Sequence, residues 1–61
     1  MDKKLIAENI KKLAQECLDF YGEHNSYVKG YLDGLFELCR FLGIKATRSE
    51  LNLHIEEVIG E

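Results

Sequence analysis

Apolar residues near the start of the chain recur in steps of four and three: Ile6, Ile10, Leu13, Cys17 and Phe20. That spacing marks a helix packed lengthwise on another. Asp2 stands where an N-cap belongs, and Gly22 where a left-handed residue would end the run. The pattern predicts a first helix from Lys3 to about Tyr21, followed by a short polar loop, Glu23-His24-Asn25. Ser26 then reads as the N-cap of a second helix that reaches about Leu42, where Gly43 stops it.

The second helix carries two apolar seams. Val28, Leu32, Leu35, Cys39 and Leu42 form one, and Tyr27, Tyr31, Gly34, Leu38 and Phe41 form another beside it. With Phe36 they cover roughly 220° of the circumference, against the ~100° of an ordinary surface helix. Lys29, Asp33, Glu37 and Arg40 leave only a narrow charged strip, with i,i+3 and i,i+4 pairs available. Such a helix needs neighbours on several sides.

Thr47-Arg48-Ser49-Glu50 has the form of a capping box, and Leu51, Ile55, Val58 and Ile59 follow at helical spacing, with Gly60 at the end. A third helix is therefore expected. The fold class predicted is all-α: a three-helix bundle made of a long helical hairpin and a shorter C-terminal helix, as one domain over 1–61. Its expected core is Ile6, Ile10, Leu13, Phe20, Val28, Leu32, Leu35, Leu42, Leu51, Ile55 and Val58.

Composition adds three constraints. At 61 residues there is room for one core, and such a chain buries only about 60% of its unfolded surface, so oligomerisation is a natural supplement. The absence of proline suits helices. The net charge of -3 argues against a general nucleic-acid binder. No apolar run is long enough to span a bilayer, and Glu8 and Asn9 interrupt the stretch a secretory signal would need, so a cytoplasmic location is expected. Two cysteines do not make a disulfide framework. In an antiparallel hairpin Cys17 and Cys39 would lie on the order of 12 Å apart at ~1.5 Å per residue, too far for a bridge. They read as small buried hydrophobes.

Chemistry is sparse. His24 and His54, with Glu23, Glu50 or Glu57, show no metal-binding spacing. Glu16, Asp19, Glu23, Asp33 and Glu37 fall mostly on solvated faces. No phosphate loop, nucleophile elbow or Cys-x-x-Cys pair occurs, so neither an enzyme nor a cofactor is expected. Lys3, Lys4, Lys11 and Lys12 form a basic group without interleaved aromatics, diluted by Asp2 and Glu8.

Two resemblances remain. Leu38-Cys39-Arg40-Phe41-Leu42-Gly43-Ile44 resembles the first helix and turn of a helix-turn-helix, which would make residues 36–59 a degenerate DNA-binding unit in a transcriptional regulator. Its second helix departs from the pattern at Ser49 and Asn52, and brings Glu50, Glu56 and Glu57 toward the phosphates. In size, acidity and lack of a catalytic motif the chain also resembles the accessory proteins of bacteriophages and other mobile elements, which implies a host protein as partner. The reading that follows is a non-enzymatic protein–protein interaction module. It is expected to form a homodimer through Tyr27, Tyr31, Gly34, Leu38 and Phe41, where the missing side chain of Gly34 permits close approach.

Overall fold

The computed structural model describes residues 2–58. Helix α1 spans Lys3–Tyr21 and opens on Asp2, whose carboxylate accepts a hydrogen bond from the Leu5 N–H at 3.1 Å. It closes at Gly22, where φ is 81° and the N–H donates to the Leu18 carbonyl at 2.9 Å. Helix α2 spans Ser26–Leu42. Its N-cap is Asn25 rather than Ser26: the Asn25 side chain accepts from the Tyr27 N–H at 2.9 Å. Gly43, with φ 73° and ψ 29°, turns the chain out of the helix in the left-handed conformation that glycine adopts without strain.

Beyond Gly43 the expected third helix does not form. Residues Ile44–Ser49 make strand β1 and Asn52–Val58 make strand β2, paired antiparallel through the two-residue turn Glu50-Leu51. The architecture is α+β, two helices and a β-hairpin, not an all-α helical bundle. The helix from Arg48 onward that a helix-turn-helix requires is replaced by strand as far as Val58, and the expected features at Ile59 and Gly60 lie outside the described residues. Thr47 is exposed on β1 opposite His54 and caps no helix.

Physical reasons for the change are visible in the register. Ile44, Ala46 and Arg48 alternate inward with exposed Lys45, Thr47 and Ser49, a strand period of two. On β2, Leu53 and Ile55 do the same. The ladder then slips: Ala46 faces Ile55 but Lys45 faces Glu57, so Glu56 is an extra residue in a β-bulge. The bulge carries the next inward position from 57 to 58, giving Ile55 and Val58 the three-residue step of a helix.

The sheet lies on one side of the helical hairpin, β1 against α2 and β2 against α1. Between them sit Ala7, Ile10, Ala14 and Cys17 of α1, Val28, Leu32 and Cys39 of α2, and Ile44 and Leu53 of the strands. Of the predicted core, Ile10, Val28 and Leu32 are buried, while Ile6, Leu35, Leu42, Leu51, Ile55 and Val58 are half-buried. Leu13 and Phe20 are exposed, Phe20 by 81%. The inward face of α1 is Ala7-Ile10-Ala14-Cys17, whose alanines allow close packing and rotate Leu13 and Phe20 toward the outside. Cys17 and Cys39 are both free and buried, and burial pushes both thiols above their ordinary pKa. Neither should alkylate at a free-cysteine rate in the folded chain.

Candidate interaction surface

The hairpin of strands covers one face of the helices, which leaves the opposite face to water. Tyr27, Tyr31, Gly34, Leu38 and Phe41 recur every three or four residues, so they share one face of α2 over about 21 Å at ~1.5 Å per residue. All five reach solvent: Tyr31 is half-buried, Tyr27, Gly34 and Leu38 are exposed, and Phe41 is 86% exposed. The face predicted for self-association therefore lies outside the core of the single chain.

Gly30 and Gly34 bear on what this face does. A Cβ placed on either meets no described atom within 4 Å, and neither has a positive φ. Within one chain nothing uses the missing side chains, yet each glycine costs about 0.5 to 1 kcal/mol relative to alanine in a helix. Gly30→Ala and Gly34→Ala are each expected to stabilise an isolated chain by that amount in thermal melts at low concentration. A gain at Gly30 with a loss at Gly34 would mean that another backbone rests on Gly34.

At the closed end of the helical hairpin the exposed face continues onto α1. Phe20 meets Tyr21 edge-on, with ring centroids 4.8 Å apart; Tyr21 lies 4.7 Å from Tyr27, and Tyr27 lies 6.0 Å from Tyr31. These four rings, together with Leu13, Glu16, Cys17 and Asp19, line an open groove of about 630 Å³. Aromatic contacts of this geometry add to simple area burial. Helical spacing alone puts Phe20 in the core, whereas the side chain is exposed on the groove; the sequence signal for the groove is the aromatic run across the turn, from Phe20 and Tyr21 to Tyr27 and Tyr31.

The charged groups divide between work and idleness. Lys29 Nζ binds Glu50 Oε1 at 3.0 Å, tying the strand turn to α2. Arg48 Nη2 donates to the Lys29 carbonyl at 3.1 Å. Its Nε lies 3.2 Å from Asp33 Oδ1 without hydrogen-bond alignment, so that contact is ionic only. Glu37 pairs with Arg40 at 3.2 Å, and Glu8 with Lys11 at 4.0 Å. Among the described residues no group of three or more His, Cys, Asp or Glu side chains is placed to share a metal, and His24 and His54 are exposed. No described helix is long and apolar enough to cross a membrane.

Glu50 titrates below the usual carboxylate range, chiefly because Lys29 donates a hydrogen bond to it, with the Lys29 and Arg48 charges adding to the effect. A carboxyl depressed in the folded state contributes stability above its unfolded pKa and loses it as pH falls through the folded one. NMR titration of the Glu50 carboxyl should therefore give a midpoint below that of a free glutamate, and Lys29→Met should return it to the ordinary range. An unchanged midpoint in Lys29→Met would show that the tether to α2 does not form.

Compared with family models, curated proteins and solved structures, the chain matches none.

Proposed function

We propose that this chain is a non-enzymatic protein–protein interaction module whose working surface is the outer face of its helical hairpin, and that it pairs with a second copy of itself along Tyr27, Tyr31, Gly34, Leu38 and Phe41. The observation that carries this reading is the exposure of that face beside a complete small core. Burying one large apolar side chain is worth about 1.5 to 3 kcal/mol; Phe41, 86% exposed, forgoes most of that in the single chain, and Leu38, 43% exposed, a smaller part. Soluble monomers rarely leave so continuous an apolar stripe in water. One stripe meeting itself across a two-fold axis is the simplest way to cover it, and tyrosines suit the half-wet rim of such an interface.

Three of the carboxylates, Asp33, Glu37 and Glu50, are held by Arg48, Arg40 and Lys29, which supports a structural rather than a catalytic use of those three. No observation favours the DNA-binding alternative.

Sedimentation equilibrium on the wild type and on Leu38→Glu tests the self-association. A wild-type dimer that Leu38→Glu dissociates at least about tenfold more readily is expected, since a buried unpaired carboxylate costs more than ~1.4 kcal/mol. A wild-type monomer across the micromolar range would reassign the stripe to a foreign partner, and a dimer indifferent to the substitution would move the interface elsewhere.

A further inference from the structure

Resting on the reading of this face as an interaction surface, we propose that the groove at the closed end of the helical hairpin, which shares Tyr27 and Tyr31 with one end of the pairing stripe and is open in the unpaired chain, receives an arginine side chain from a basic segment of a partner protein. Its walls supply what a guanidinium requires. Phe20, Tyr21, Tyr27 and Tyr31 form a chain of neighbouring rings, with successive centroids 4.8, 4.7 and 6.0 Å apart, and Phe20 is 81% exposed. A planar guanidinium stacks on such rings while its N–H fork stays free for carboxylates.

The carboxylates are in place. Glu16 and Asp19 line the same groove as the rings. The four ion pairs formed between described residues engage Glu8, Asp33, Glu37 and Glu50, and none of them engages Glu16 or Asp19. Asp19 accepts a hydrogen bond from the Gln15 side-chain amide at 2.8 Å, which leaves its charge uncompensated.

That charge decides between occupants. A purely apolar segment laid over the rings would strip water from two carboxylates without replacing it, which is costly. A polyanion would be repelled. A cation with an apolar stem satisfies both halves of the groove, and the net charge of -3 favours its approach.

The test uses an acetylated, amidated peptide carrying two arginines between leucines, and a twin with citrulline in place of both arginines. Each is titrated into the isotope-labelled full chain and into Leu38→Glu, so that pairing along α2 does not obscure the groove. The arginine peptide is expected to shift amides of residues 13–31 selectively and to bind about tenfold more tightly than its uncharged twin. The double substitution Glu16→Gln, Asp19→Asn should remove that preference while leaving the melting temperature unchanged, and Phe20→Ala should weaken both peptides. Equal binding of the two peptides would overturn the proposal in favour of an apolar groove. Shifts centred on the strands, or none at millimolar peptide, would overturn it outright. If instead the double substitution dissociates a wild-type dimer, the groove's occupant is a cationic side chain of a second copy and the foreign segment is excluded. The proposed pairing along Leu38 and Phe41 survives every one of these failures, because it is read separately by sedimentation of Leu38→Glu.

Discussion

Leu32→Ala is expected to cost about 2 to 5 kcal/mol and to leave much of the chain unfolded at physiological temperature. Leu32 is 1% exposed and, with Val28 and Cys39, is among the most deeply buried side chains of a core that draws on both helices and both strands. A 61-residue domain has about 3 to 9 kcal/mol of stability in all, at ~0.05 to 0.15 kcal/mol per residue. Removing the isobutyl group therefore takes a large share of it, through lost burial and through the cavity left behind. Urea denaturation followed by circular dichroism, at one protein concentration for both variants, reads the loss as a lowered midpoint. The exposed Leu5→Ala is the control; a Leu32→Ala midpoint no lower than that of Leu5→Ala would place the core elsewhere.

Both helices were legible in the sequence because their ends are chemically marked. Asp2 before Lys3, Gly22 after Tyr21 and Gly43 after Leu42 each answer the unsatisfied backbone groups of a helix end, and none depends on distant contacts. The strands lack such marks. Their turn, Glu50-Leu51, contains no glycine or asparagine, and no non-glycine residue among 2–58 has a positive φ, so the usual Asn-Gly signal of a hairpin is missing. Thr47 and Glu50 reproduce the spacing of a capping box by coincidence, one facing solvent on β1 and the other committed to Lys29. The bulge at Glu56 then supplies a helical interval between Ile55 and Val58. A two-stranded sheet is scarcely stable alone, and what selects it here is the helical face beneath. That choice is tertiary, and no local window contains it.

The candidate surface was half legible for a related reason. Its α2 stripe follows from periodicity alone, since a helix with two apolar seams cannot bury both against so small a chain. Its α1 part does not follow. The step of four and three from Ile6 to Phe20 is a good helical pattern, yet the sheet selects the neighbouring face, where Ala7 and Ala14 contribute little to any hydrophobic signal. Small residues suit that face, which packs against β2. Large ones are consequently displaced outward, and Phe20 joins the tyrosines across the turn.

Arg48→Ala should detach the strands from α2 at a cost of about 1 to 3 kcal/mol, the range for losing a charge-assisted hydrogen bond together with buried side-chain packing. Arg48 points inward from β1 with its side chain 15% exposed, an unusual position for a cation on a short strand. Its guanidinium reaches the Lys29 carbonyl at 3.1 Å and Asp33 at 3.2 Å. Most of the effect belongs to the carbonyl bond and the packing, because the Asp33 side chain is 69% exposed and water screens the ionic contact. Asp33→Asn should accordingly cost less than ~1 kcal/mol. Amide hydrogen exchange separates the elements: in Arg48→Ala the β1 and β2 amides should exchange much faster, while α1 and the middle of α2 keep most of their protection. A terminal helix in place of the strands would leave Arg48 in a solvated first turn, and its removal would then resemble that of the exposed Lys45. Equal protection in Arg48→Ala and Lys45→Ala is thus the result that would break the link between this buried cation and the seating of the β-hairpin.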